Sequence, residues 1–311
     1  MPDARATTVW IDTDSSIGSP FREVDDAFAL LLAFKCSNLR IAGISTTYGN
    51  ASLKQTTAVT TEFVGRFGNG VHGRVPKVYP GARSRKDLGL ETVATKALAE
   101  VVQKNGSVTY ITLGPLTNLA TFEMLHPELA PRIHRVIFVG GVTEGASFRF
   151  GSRHPLRIHD ANVLKDPEAV RRVLRANIPM TLIPIEAASQ IMLGDEDLKD
   201  IGRNGEAGIF LRKKSRVWLW FWMNFVGTKG GPVFDAAAVV AAADPSLLVL
   251  ETRYAVVDSF SNLLASRNPM PQSRAVLFCP RLAVTASQFV KQNLNGRGTD
   301  QKPRNSERRQ P

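Results

Sequence analysis

Cysteine is nearly absent: Cys36 and Cys279 are the only two in 311 residues. Two thiols, each in an apolar context, argue against a disulfide framework or a zinc site and read as small core residues. No apolar run is long and charge-free enough to span a membrane. The N-terminus, Met1-Pro2-Asp3-Ala4-Arg5, lacks the apolar stretch of a secretory signal, so a cytoplasmic location is expected. Neither an internal repeat nor a linker-like segment interrupts the chain. One domain over residues 5–294 is therefore expected. From Asn295 to Pro311 apolar residues almost vanish while Arg297, Lys302, Arg304, Arg308 and Arg309 accumulate, the pattern of a disordered basic tail.

The hydrophobic content of 43% is enough for a large core. The formal charge of +11 raises the question of nucleic acid or a membrane surface. The basic residues are scattered and part of the excess lies in the tail. A solvated basic surface is the expectation, with no nucleic-acid and no membrane partner.

Candidate strands alternate with candidate helices. Thr8-Val9-Trp10-Ile11, Leu39 to Ser45, Val108 to Leu113, Val136 to Val139 and Met180 to Pro184 read as strands. Helices are expected from Ala27 to Phe34, from about Leu53 to Phe67, from about Leu116, and after Asp166-Pro167, an N-cap with proline at the first helical position. A further helix is expected at Ala236 to Ala243, with Asp235 at its start. This rhythm implies an α/β fold, an open and mostly parallel sheet with helices on both faces. Residues 146–157 have no periodicity and read as a long loop near the site. Helical spacing from Arg212 to Val226 places Trp218, Trp222 and Phe225 on one face.

Four aspartates close to the N-terminus carry the strongest chemical signal. Asp12 and Asp14 end the first strand, and Asp25-Asp26 open the first helix. An open α/β sheet builds its ligand site at that edge. Clustered carboxylates repel one another unless a cation neutralises them, which points to a hard, oxygen-bound metal such as Ca²⁺ or Mg²⁺. Two catalytic readings follow: a metal site that activates water, or the Asp-x-Asp nucleophile and acid of a Mg²⁺-dependent phosphatase. Gly194-Asp195-Glu196-Asp197 with Asp200 superficially resembles the later acidic motif of such phosphatases, but an acidic helix start stabilised by the helix dipole accounts for it better. The phosphatase reading leaves Asp25-Asp26 without a role.

Four more motifs follow in order: Thr46-Thr47-Tyr48-Gly49-Asn50, Leu113-Gly114-Pro115-Leu116-Thr117-Asn118, Asp160-Ala161-Asn162 with Asp166-Pro167-Glu168-Ala169, and Phe234-Asp235. As an ordered set, from about Val9 to Pro245, they resemble the inosine–uridine-type nucleoside hydrolase family. The resemblance implies a Rossmann-like sheet of nucleoside hydrolase type and hydrolysis of a ribonucleoside N-glycosidic bond, releasing base and ribose. It also implies a homodimer or homotetramer. Carried over residue by residue, it implies Ca²⁺ held by Asp14, Asp26, Asp235 and the Leu113 carbonyl, supported by Asp12. A calcium-bound water would attack the anomeric carbon with Asp14 as general base. Asp25, Asn50, Asp160 and Asn162 would hold the ribose hydroxyls.

The chain departs from the family pattern at three places. Ser15 to Arg22 lengthens the loop between Asp14 and Asp25 and lacks its Pro-Gly. The ligand set is kept if this insertion bulges outward; alternatively Phe21 or Arg22 reaches the substrate. Asp160 stands where Glu is usual, shortening its reach by about 1.5 Å. Phe234 replaces a histidine that protonates the leaving base, with His154 a possible substitute; Trp222, stacking on the base, is a second way to ease its departure. These departures leave one further alternative, a non-catalytic or specialised homologue that binds a ribosyl compound.

Overall fold

The first apolar run, Val9 to Ile11, is fully buried and begins the architecture. In a computed structural model, which describes residues 6–18, 22–70, 73–144, 149–157 and 160–297, it forms strand β1 (Thr7–Thr13). There follow β2 (Leu39–Thr46), β3 (Val78–Pro80), β4 (Val108–Thr112), β5 (Ile133–Val139), β6 (Val142–Thr143), β7 (Arg149–Phe150) and β8 (Leu156–Arg157). The later strands are β9 (Met180–Ile183), β10 (Met192–Leu193), β11 (Gly231–Pro232), β12 (Leu248–Val257), β13 (Leu263–Ser266) and β14 (Arg274–Leu282). Among the described residues, ten strands make one sheet in the order β3-β2-β1-β4-β5-β9-β14-β12-β13-β6. Pairing is parallel from β3 through to β14, while β12 runs antiparallel to both of its neighbours.

The sheet is covered on both faces, as expected. Side chains alternate along a strand. Val9 and Ile11 therefore enter one core with the helices Asp25–Lys35, Leu53–Phe67, Ala236–Ala243 and Ala286–Leu294. Trp10 points the other way, into a core with the helices Val93–Asn105, Thr117–Leu125 and Pro167–Arg175. The Asp25–Lys35 helix is buried from Asp25 to Phe34, which explains a sequence apolar all round rather than along one stripe.

Strand order positions the site. From β1 the chain winds to β2 and β3 on one side, then returns to place β4 on the other. The connections leaving β1 and β4 therefore diverge, and the crevice between them at the carboxyl ends is where such sheets bind ligands.

Two details differ from the sequence reading. β5 begins at Ile133 rather than Val136, because the exposed His134 masks its first half. The aromatic segment is not one regular helix: Arg216–Trp220 gives way to a π-helical turn over Phe221–Val226. The wider turn breaks the 3.6-residue spacing. Trp218 and Trp222 are buried, but Phe225 is 43% exposed and stacks on His154 with ring centroids 4.6 Å apart. Residues 298–311, most of the expected tail, lie outside the described residues.

Candidate active site

β1 delivers Asp12 and Thr13 at its end, and Asp14 follows; all three are completely buried. Asp12 is held from two neighbouring elements. Its Oδ1 accepts from Ser45 Oγ of β2 (2.6 Å) and from Asn118 Nδ2 at the start of the Thr117–Leu125 helix (2.9 Å). Burial pushes its carboxyl up to about 6, against the opposing effect of these hydrogen bonds. Asn118 in turn donates to Thr46 O (3.2 Å) and accepts from the Ala82 N–H (2.8 Å), tying four segments together.

Asp25 and Asp26 occupy the first turn of their helix, where the helix dipole favours negative charge. Asp235 sits at the start of Ala236–Ala243, which packs against that same helix. One carboxylate oxygen each from Asp25, Asp26 and Asp235 lie within 4.8 Å of one another, and all three residues are buried. Burial raises each carboxyl well above its ordinary range. Repulsion from Glu23 and Asp26 adds to this at Asp25, from Asp14 at Asp26, and from Asp25 and Asp26 at Asp235. Buried carboxylate oxygens with no cation paired to them among the described residues are a donor set suited to a hard divalent ion.

Asp14 adjoins this trio but is turned to other partners. Its Oδ2 accepts from the Asn50 N–H (2.7 Å) and lies 3.4 Å from Lys165 Nζ; its Oδ1 accepts from Asn50 Nδ2 (3.1 Å). The same amide reaches Asp26 Oδ2 (3.3 Å), so Asn50 bridges the two carboxylates. Asp26 Oδ1 accepts from Thr13 Oγ1 and from the Asp14 N–H (3.2 Å). Burial raises the Asp14 carboxyl, while Lys165 and Asn50 work to lower it.

On the β4 side, the Leu113 carbonyl accepts from Asn162 Nδ2 (3.2 Å), which leaves it a second lone pair. Asp160 caps the short Ala161–Lys165 helix: Oδ1 accepts from the Asn162 and Val163 N–H groups (3.0 and 3.1 Å), and Oδ2 from the Gly141 N–H. The expected residues Asp12, Asp14, Asp25, Asp26, Asn50, Leu113, Asn162 and Asp235 thus gather around the β1–β4 crevice. Lys165 and Glu23 were not singled out by sequence reasoning. Glu23 Oε2 accepts from Trp218 Nε1 (2.9 Å), and the proximity of Glu23 to Asp25 in the chain was the available signal. Lys165 carried none, because a lysine three residues after a site asparagine is commonplace.

A family model described as inosine-uridine preferring nucleoside hydrolase matches residues 9–266. The chain belongs to that family. Among curated nucleoside hydrolases, it is 28% identical to a protein described as uridine nucleosidase 1 of Arabidopsis thaliana, over 76% of this chain and 74% of that one. It is 22% identical to a pyrimidine-specific ribonucleoside hydrolase of Shigella flexneri, over 75% and 80% respectively. Of solved nucleoside hydrolase structures, a plant enzyme superposes with a TM-score of 0.77 at 23% identity, covering 93% of this chain and 99% of its own. A purine-preferring ribonucleoside hydrolase from Gardnerella vaginalis gives 0.74 at 20% identity, covering 93% and 98%. These superpositions establish the nucleoside hydrolase fold. Family membership makes the chain an enzyme, a nucleoside N-ribohydrolase.

Within this nucleoside hydrolase the insertion after Asp14 is pinched rather than extruded as a whole. Ser15, Ser16 and Ile17 turn inward, with Ile17 in the core, and Ser16 Oγ donates to Glu23 O (3.1 Å) to close the neck. Gly18 and Arg22 are exposed; Ser19, Pro20 and Phe21 lie outside the described residues. Phe234 joins an aromatic cluster in which Trp222 meets Phe150 and Phe234 edge-on, at 5.5 and 6.5 Å. The Trp222 indole N–H is buried there without a hydrogen-bond partner among the described residues. The acidic segment at Asp195 is a helix start. Asp195 and Glu196 pair with Lys199, and Asp197 with Lys291.

Proposed function

We propose that the chain hydrolyses the N-glycosidic bond of a ribonucleoside with Ca²⁺ held by Asp14, Asp26, Asp235 and the Leu113 carbonyl. The observation that carries this reading is the convergence of Asp25, Asp26 and Asp235 on one point beside Asp14, at the β1–β4 crevice of a nucleoside hydrolase fold. When bound, such an ion supplies positive charge beside vicinal hydroxyls and makes a water easier to deprotonate.

Asp14 is the base that takes the proton of the attacking water, oriented by the two Asn50 donors. Asp12 does not touch substrate; it holds β1, β2 and the Asn118 helix in register beneath Asp14. Asp25, Asn50, Asp160 and Asn162 hold the ribose hydroxyls, and the surrounding carboxylates stabilise the oxocarbenium-like ribosyl group. Trp222 is buried, so the apolar surface against which the base leaves is Phe234, backed edge-on by Trp222. The relatives' descriptions span uridine, pyrimidine and purine preferences, so the base belongs to experiment. The family resemblance also supports a homodimer or homotetramer, which size-exclusion chromatography with light scattering would read directly.

The test is release of ribose from a panel of purine and pyrimidine ribonucleosides, with and without EDTA, alongside Asp14→Asn. Chelator-sensitive release that falls by about 10²–10⁴-fold in the variant is the expected result. Undiminished release in EDTA would overturn the metal assignment.

A further inference from the structure

Lys165 is placed oddly for a lysine at the end of a short helix. Its side chain is only 24% exposed, whereas the neighbouring Leu164 is 43% exposed, so the charged residue turns inward and the apolar one outward. The backbone is fixed at that point: the Lys165 carbonyl accepts from Tyr48 Oη (3.2 Å), and the next residue, Asp166, caps the Pro167–Arg175 helix. From this anchored position Nζ reaches across the crevice to Asp14 Oδ2 at 3.4 Å. Its charge is felt at Asp26 and Asp160 as well.

Among the described residues, no other cationic side chain pairs with the carboxylates of this cluster. One ammonium stands against four buried aspartates, 14, 25, 26 and 235. It therefore relieves the repulsion only in part and leaves room for a divalent ion. The carboxylate it engages, Asp14, is not one of the three that converge within 4.8 Å, but it is close enough to add its repulsion to each of them.

We propose that Lys165 is a built-in competitor for the cation site, a tethered ammonium that holds Asp14 when no divalent ion is bound and opposes loading when one arrives. This inference rests on the metal reading proposed above and adds to it a residue that tunes occupancy. Lys165 is a positioning residue: it acts on the ion through Asp14 and by like-charge repulsion. The two roles predict opposite effects of one substitution. Removing the ammonium destabilises the ion-free protein, because the buried carboxylates lose their internal counter-charge. The same change strengthens cation binding, because the site loses a competing positive charge. A lysine that merely supported the fold would weaken both.

The experiment is calorimetric titration of the full chain with CaCl₂, and thermal melting in EDTA and in saturating Ca²⁺. It compares wild type with Lys165→Met, Lys165→Gln and the charge-retaining Lys165→Arg. The Gln variant keeps a hydrogen-bond donor toward Asp14 and guards against a Met variant that fails to fold. The neutral variants are expected to bind Ca²⁺ on the order of tenfold more tightly and to melt lower than wild type in EDTA. Lys165→Arg is expected to stay near wild type in both. Equal or weaker binding by both neutral variants would overturn the competitor role while leaving the metal reading standing. Failure of wild type and variants alike to bind Ca²⁺ would overturn the metal reading and this inference with it.

Discussion

Asp14 owes its position to a residue without a side chain. A Cβ added at Gly49 would lie 1.6 Å from Asp14 Oδ2, so any other residue there must displace the carboxylate or the turn that carries Asn50. Gly49→Ala is expected to lower kcat for ribose release by about 10²-fold, the usual cost of misplacing a catalytic group by an ångström. Circular dichroism should show an intact fold. Asn118 is the corresponding keystone beneath the site. Replacing it by Ala removes a donor from Asp12 and Thr46 and an acceptor from Ala82, all buried groups. Asp12 keeps Ser45 Oγ and Thr46 O keeps the Gly81 N–H, so the Ala82 N–H is the group left stranded, and a loss of about 1–3 kcal/mol in urea unfolding is expected. The aspartates, Asn50 and Asn162 were legible as candidates from residue type and order. The keystone role of Asn118 and the reach of Lys165 were not, because both depend on partners 106 and 151 residues away in the chain.

At the scale of elements, one of the two capping aspartates expected from the sequence caps its helix, Asp166; Asp235 stands at the N-cap position but makes no capping hydrogen bond and joins the carboxylate trio instead. Asp166 caps Pro167–Arg175 by accepting from the Ala169 N–H (3.0 Å), and its other oxygen accepts from Thr117 Oγ1 (2.6 Å). One side chain thus starts one helix and fastens it to another. Asp166→Ala should destabilise the protein by about 2 kcal/mol, the upper end for an N-cap, because the hydrogen bond from Thr117 is lost as well, leaving that hydroxyl only Tyr48 Oη at 3.3 Å. Chemical denaturation would measure it, and recovery of most of the loss in Asp166→Asn would tie the effect to hydrogen bonding. Where local pattern failed, geometry intervened. The π turn at Phe221–Val226 carries Trp222 into the core and leaves Phe225 outside, which a 3.6-residue wheel cannot anticipate.

For the whole molecule, the carboxylate cluster couples stability to pH and to cations. The Asp12 carboxyl rises from 3.8 to about 6 on folding, and those of Asp25, Asp26 and Asp235 also rise. A raised acid favours the folded state below its unfolded value, and that contribution is lost as pH climbs through the folded value. For Asp12 alone the ion-free protein should lose about 2 kcal/mol between pH 4 and 7. On the proposed metal reading a divalent ion reverses this dependence, because it would bind the ionised carboxylates and release their protons. The melting temperature in saturating Ca²⁺ minus that in EDTA should therefore widen from pH 5 to pH 8. A difference independent of pH would show that the cluster does not take up the ion.

The alternation of apolar strands with capped helices determined the layered α/β architecture. Both signals are local: a strand's β-branched run and a helix's N-cap act within a few residues, so they can be read along the chain. The same holds for the aspartates at the end of β1 and at the helix start, since strand and helix termini set where a side chain can be offered. Tertiary structure alone decided which carboxylates meet. Asp235 joins Asp25 and Asp26 because Ala236–Ala243 packs on the first helix; Asp14 meets Asn50 because β2 pairs with β1, and Lys165 because the Asp160 segment reaches the crevice. Those contacts are fixed by helix packing and strand order, from 36 residues apart for Asn50 to 151 for Lys165, and no local pattern encodes them.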